Sequence, residues 1–292
     1  MRKVPSQPRR PDPAARITAL SVVLSLGLLA VLFAAYWVYD SQLALAQAAD
    51  STSDVFTALA LGWAVRVGAQ PPDENHPFGH YSAQPIAALF TAMLAGALAV
   101  SVAREAIGAI MGGAIPRLDW PLAGAFALKV VAKTALARWA GAQGRRLRSP
   151  ALRAIAVDAR NDVLVGLVGL VGFGAARLGW PGLDAWIALP VAVWVGVAGV
   201  LLGMENVRML MGEAPEDDRQ RELLAMARAV PGVVDAHSLR ARSAGAKIAL
   251  WVQVKVDPEL SIRAGHDIGE AVERRLLEED DVCEAVAHVD VE

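Results

Sequence analysis

The chain has 292 residues, 55% of them apolar and 20% charged, with a mean hydropathy of +0.38, whereas an ordinary soluble domain is about 45–50% apolar and about 25% charged. The surplus argues against a simple cytosolic enzyme, the lack of a basic surface interleaved with aromatic residues argues against nucleic acid as a partner, and the lone Cys283 excludes an internal disulfide or a thiolate-built metal site. The formal charge of −2 conceals a division, because residues 1–212 carry 18 Lys/Arg against 12 Asp/Glu while residues 213–292 carry 10 against 18.

A polar leader, residues 1–16, precedes the first apolar stretch, Ile17 to Tyr39, which contains no charge over 23 residues. That is enough to span a bilayer and longer than the apolar part of a cleavable signal peptide. Five more candidate spans follow at 43–65, 81–103, 119–139, 152–176 and 184–206, separated by short loops with Pro, Gly, Asp or Arg. The first, third and sixth are uncharged through their centres. The second carries Asp50 and Asp54, the fourth Lys129 and Lys133, and the fifth Asp158, Arg160 and Asp162, which marks these three as the polar interior. With the N-terminus in the cytoplasm, inside segments hold twelve Lys/Arg and outside loops three, so the positive-inside rule puts both termini in the cytoplasm.

From Glu213 the composition becomes that of a small soluble domain. EDDRQRELLAMARAV places Leu223, Leu224, Met226 and Ala227 at helical spacing and stops at Pro231-Gly232. VVDAHSLRAR and KIALWVQVKV read as strands, the second alternating Ile248, Leu250, Val252, Val254 and Val256 on one face; residues 261–280 read as a helix and CEAVAHVDVE as a third strand. The order α-β-β-α-β gives a compact α+β domain with two helices on one sheet face. The expected fold is therefore an all-α transmembrane domain of six helices, 17–212, followed by a small cytoplasmic α+β domain, 213–292.

Two Asp-x-x-x-Asp motifs inside membrane helices carry the chemistry: Asp50-Ser-Thr-Ser-Asp54 and Asp158-Ala-Arg-Asn-Asp162. Four residues make one helical turn, so each pair faces one way. An Asp at a bilayer centre costs about 2.5–3.5 kcal/mol on the insertion scale, so four need a compensating cation or a wet cavity. At about 1.5 Å per residue, Asp54 entering from outside and Asp162 entering from inside reach the same depth. The plainer alternative leaves Asp50 and Asp158 at the two interfaces, solvated or paired with Arg160. Lys129 and Lys133 lie one turn apart on the fourth span and either offset this negative charge, Lys133 being the candidate charge partner, or snorkel to the headgroups. The loop PPDENHPFGHYSAQP brings Asp73, His76 and His80 within eight residues, a donor set that suits zinc-like ions, though a solvated polar turn explains it equally. In the tail, His237, His288 and Asp290 on strands and His266 on a helix are candidates for a further cation site. No nucleophile elbow, phosphate-binding loop or catalytic His/Glu constellation occurs at usable spacing, which argues against an enzyme.

On ADSTSDV, PPDENHPFGH, SPALRAIAVDARNDV, VVDAHSLRAR and AVAHVD, the chain resembles the cation diffusion facilitator family over nearly its whole length. The resemblance implies a dimeric divalent-metal/proton antiporter of a plasma (bacterial inner) membrane, with a copper-chaperone-like regulatory and dimerisation domain, no cofactor, and the metal ion as substrate and regulator. It implies Asp50, Asp54, Asp158 and Asp162 as transport site. Asp158 stands where zinc-transporting members usually carry His; the harder donor set disfavours zinc and favours Mn²⁺ or Fe²⁺, and the manganese-exporting branch carries Asp-x-x-x-Asp in both helices. Ser82 and Gln84 replace the Lys and acidic residue that follow the second loop His in many members, so the family's charged interlock is absent or rebuilt. Lys255 stands where the family has a further tail His, and its charge opposes binding of a second cation. A membrane-anchored metal sensor and a passive cation channel are the competing readings.

Overall fold

The computed structural model describes residues 13–39, 42–112, 120–180 and 182–291. These fall into two compact units, one ending at Asn206 and the other beginning at Val207. Six helices form a membrane-spanning bundle: α1 (Pro13–Tyr39), α2 (Gln42–Gly68), α3 (Ala83–Ile110), α4 (Trp120–Arg146), α5 (Pro150–Arg177) and α6 (Leu183–Leu210). Residues 1–12 of the expected leader lie outside the described residues, and α1 already starts at Pro13, where a missing N–H costs nothing.

α1, α3 and α6 are apolar enough to cross a bilayer by composition, with mean hydropathy of 2.5, 2.2 and 2.2 over their most apolar stretches. In α2, α4 and α5 charges interrupt the apolar run, and Asp54, Lys129, Lys133 and Asp162 are all buried. These four charges thus turn toward other helices and away from lipid. α4 continues to Arg146 and α6 to Leu210, past the expected ends at 139 and 206. An apolar run reports the hydrocarbon crossing; the helix itself continues through the headgroup region until something breaks it. α5 starts sharply because the Ser149 hydroxyl accepts from the Leu152 N–H and Pro150 occupies the first helical position. The same hydroxyl donates to Gln84 Oε1 at 2.7 Å, tying this turn to α3.

Small residues let these helices approach closely, as membrane helices commonly do. A Cβ at Gly144 would lie 3.0 Å from the Arg153 backbone nitrogen and one at Gly199 3.1 Å from the Ala92 carbonyl oxygen. The first contact sets the α4/α5 hairpin and the second the α3/α6 pair. The bundle core is built from Ile17, Leu61, Val65, Leu136, Leu152 and Ile155 with interleaved alanines.

The second unit contains α7 (Asp217–Arg228), β1 (Asp235–Ala244), β2 (Lys247–Lys255), α8 (Ile262–Leu277) and β3 (Val282–Asp290). The sheet order is β1-β2-β3, with β1/β2 antiparallel and β2/β3 parallel. Ile248, Leu250, Val252 and Val254 turn one face of β2 into a core with Leu223 and Ala227 of α7 and Val272 and Leu276 of α8. The parallel partner requires a crossover, and α8 is that crossover. Arg219 of α7 fixes the layer by bonding Asp281 and Glu279; those hydrogen bonds raise its already high pKa. Cys283 donates to the Ile248 carbonyl oxygen, and burial pushes its thiol up to about 11.

Candidate metal centre

The intramembrane centre is assembled by three helices. α2 brings Asp54, α5 brings Asp158 and Asp162 one turn apart, and α4 brings Lys133. Carboxylate oxygens of Asp54, Asp158 and Asp162 all lie within 4.8 Å of one another. Lys133, 1% exposed and the bulkiest fully buried side chain among the described residues, donates to Asp54 Oδ2 at 2.9 Å and forms an ion pair with Asp162. Asp54 and Asp162 are 7% and 4% exposed, and Asp158 is half-buried. The lysine ammonium therefore already stands at the carboxylate cluster, where a free cation would bind.

Asp50 sits one turn before Asp54 on α2, and its side chain lies outside the described residues. Lys129 is buried in the bundle at 3% exposure, which removes the reading that it snorkels from a helix end. Two more polar side chains, which the sequence reading missed, are buried here on the same helices. Neither Asn161, beside Asp162, nor Ser51, three residues before Asp54, has a hydrogen-bond partner for its side chain among the described residues. The available signal was Asn161 itself, an amide inside a membrane span.

The formal charge of Asp54, Asp158, Asp162 and Lys133 together is −2. Asp50 and Lys129 are of opposite sign, so including both leaves that sum unchanged. An all-oxygen set of this charge suits one divalent ion of the harder kind.

A second cluster lies in the loop between α2 and α3. His76 Nδ1 and His80 Nε2 each lie 3.2 Å from a different oxygen of Asp73, and the two rings touch at a tilt of 46° with centroids 4.4 Å apart. Asp73 also accepts from the backbone N–H groups of Asn75 and His76, at 3.0 and 2.6 Å. The His76 backbone bond is the main cause holding the Asp73 carboxyl below its ordinary pKa, with the imidazoles adding to it. Gly79, at φ +86°, makes the turn between the histidines, and a Cβ there would meet the Tyr81 ring at 2.8 Å. His80 is nearly buried while His76 and Asp73 are half exposed, so the cluster opens to solvent on one side.

The tail candidates are distributed differently. His237 and His288 are both in register with Gln253, one on each side of it, and Asp290 is in register with Lys255. His266 projects from α8, 3.7 Å from Glu270. Among the described residues, His237, His266, His288 and Asp290 form no group of three with ligand atoms in range of one ion. The physical reason is the topology: the strand residues lie on the sheet face opposite the helices, and His266 belongs to the helix layer.

Residues 18–211 match the profile described as the cation efflux transmembrane domain, and residues 215–292 match that of the cation efflux protein cytoplasmic domain. An uncharacterized transporter of Methanocaldococcus jannaschii is 28% identical over 93% of this chain and 96% of its own length. The cation-efflux pump FieF of Shigella boydii is 28% identical over 93% of this chain and 90% of its own. A solved structure of the MamM CTD is 27% identical and covers 26% of this chain and 98% of its own, with a TM-score of 0.25.

Proposed function

The chain belongs to the cation efflux family, also called the cation diffusion facilitators, and is a secondary transporter of a divalent cation; from that premise we propose that it exports manganese from the cytoplasm in exchange for protons. The observation that carries this reading is the buried cluster of Asp54, Asp158 and Asp162 with Lys133 among them. Three carboxylates without a nitrogen or sulfur donor favour Mn²⁺, then Fe²⁺, over Zn²⁺. By its four-residue spacing from Asp54 in the sequence, Asp50 is proposed as the fourth carboxylate.

In the inward-facing state a metal ion enters and displaces the Lys133 ammonium from the carboxylates. The helices rearrange, the ion leaves outside, and protons compete for the same oxygens. Exclusion of the ammonium by the metal is electrostatic, since two cations cannot share so small a volume in a medium of low dielectric. FieF is described as a cation-efflux pump, which supports the outward direction. The Asp73, His76 and His80 cluster is a second, solvent-facing cation position. The acidic tail attracts cations on the cytoplasmic side, and the protein works as a homodimer of a plasma membrane with both termini in the cytoplasm.

The test is metal-driven proton flux in proteoliposomes offered Mn²⁺, Fe²⁺, Zn²⁺ and Co²⁺ in turn, for the natural protein and for Asp158→His. Manganese should drive flux, and the imidazole should shift preference toward zinc. A natural protein that already prefers zinc refutes the ligand argument. Metal flux that ignores an imposed pH gradient points to a channel, and no flux with metal binding confined to the tail points to a sensor.

A further inference from the structure

A groove of about 610 Å³ lies between α4, α5 and α6. Four arginines edge it: Arg138 and Arg145 on α4, and Arg153 and Arg160 on α5. Within each pair the spacing is seven residues, two helical turns, so both members share a face. The hairpin contacts fix their levels. Gly141 lies opposite Ala156 and Gly144 opposite Leu152 and Arg153, which sets Arg145 beside Arg153 near the turn and Arg138 beside Arg160 further in. α6 closes the far side with Ala198, Leu201, Leu202 and Glu205. Glu205 pairs with Arg153. Among the described residues, Arg138, Arg145 and Arg160 have no carboxylate within ion-pair distance.

This groove is separate from the carboxylate centre. Arg160 follows Asp158 by two residues, about 200° round the helix, so the arginines occupy the face of α5 opposite the metal ligands. It is also deep. α5 has 28 residues, about 42 Å of helix against a hydrocarbon core of about 30 Å. Arg160 lies ten residues in, about 15 Å from the helix start, and so below the headgroup level if the helix is centred in the bilayer. An exposed guanidinium at that depth needs an anion, and Arg160 and Arg138 beside it are left without one, as is Arg145 nearer the helix end.

We infer that this groove binds an anionic phospholipid, with its phosphate on Arg138, Arg145 and Arg160 and an acyl chain along the apolar wall of α6. Guanidinium groups bind phosphate oxygens bidentately, and basic pockets between membrane helices suit such headgroups. The lining argues for a lipid over a free anion, because Ala198, Leu201 and Leu202 give an inorganic phosphate nothing to bury. The inference is independent of which ion is transported.

The experiment uses the purified full-length protein in detergent. Native mass spectrometry and thermal unfolding are followed with phosphatidylglycerol, phosphatidylcholine and inorganic phosphate added in turn. Phosphatidylglycerol should survive detergent exchange and raise the unfolding midpoint; the other two should do neither. The Arg138→Gln/Arg160→Gln variant should bind phosphatidylglycerol about tenfold more weakly or worse, with Mn²⁺ binding unchanged. Equal binding of phosphatidylcholine, equal protection by inorganic phosphate, or undiminished phosphatidylglycerol binding by the variant would each overturn the assignment. A variant that fails to fold leaves the three-ligand comparison on the natural protein to decide.

Discussion

Lys133→Gln separates the two occupants of the carboxylate cluster. At 2.9 Å from Asp54 Oδ2, the ammonium and carboxylate attract by about 6 kcal/mol at an effective dielectric constant of about 20. Desolvation of both groups offsets much of that, yet removing one member of a buried pair costs about 3–5 kcal/mol because the other is left uncompensated. The metal-free protein should therefore unfold at a lower temperature. The metal-bound protein should respond in the opposite sense. A divalent ion about 4 Å from the ammonium would be repelled by about 8 kcal/mol at the same dielectric constant, so metal binding must first drive Lys133 out. If only about 3 kcal/mol of that displacement cost survives relaxation, its removal tightens metal binding by about 100-fold. Thermal unfolding in chelator-treated buffer reads the first effect, and competition for Mn²⁺ against a fluorescent chelator reads the second. An unchanged metal-free midpoint together with unchanged Mn²⁺ affinity refutes the placement of Lys133 as resident cation.

Asp73→Asn removes the negative charge between His76 and His80, so calorimetry should lose the loop ion while the ion at Asp54, Asp158 and Asp162 is retained. Cys283, with its thiol pushed up to about 11 from an ordinary 9.0, should alkylate about 100-fold more slowly near pH 8 than an unhindered thiol of ordinary pKa; a half-maximal rate near pH 9 refutes its burial. Because the unfolded thiol ionises first, Cys283 should contribute a loss of stability as pH rises from 9 to 11, and Cys283→Ala should make that slope shallower. Gly144→Val pushes a side chain into the Arg153 and Leu152 backbone, and the resulting strain should cost about 1–3 kcal/mol in thermal or denaturant unfolding.

Periodicity revealed the elements, and spacing put Asp158 and Asp162 on one face of α5, because both are local properties of the chain. The six helices and the α-β-β-α-β tail follow from runs such as Ile17 to Tyr39 and from the alternation through Val252 and Val254. Asp158 and Asp162 had to share a face at four-residue spacing. The distances between helices are different in kind. That Lys133 reaches Asp162 depends on α4 packing against α5 through Gly144 and Gly166, and that it donates to Asp54, 79 residues away, depends on where α2 joins them, through-space facts with no sequence period. The tail histidines show the converse limit. Alternation identified His237 and His288 as strand residues but did not place Gln253 between them, because register depends on the bulge between His237 and Arg240.

On the proposed reading, the charge balance of the cluster gives a lysine its place in a site for a divalent ion. On its return the metal-free carrier buries the same carboxylates, and three uncompensated carboxylates in a medium of low dielectric would make that passage prohibitive. Lys133 cancels one charge through a tether that cannot diffuse away, leaving a formal −2 for a metal ion or for protons to neutralise. The same tether limits affinity, since every metal ion bound must overcome the ammonium first. A transporter gains from that weakness: an ion held by all the carboxylates with no competitor would be released too slowly to turn over. On the proposed reading, Lys133 spends binding strength to obtain release, and the cluster is organised for passage of the ion and not for its retention.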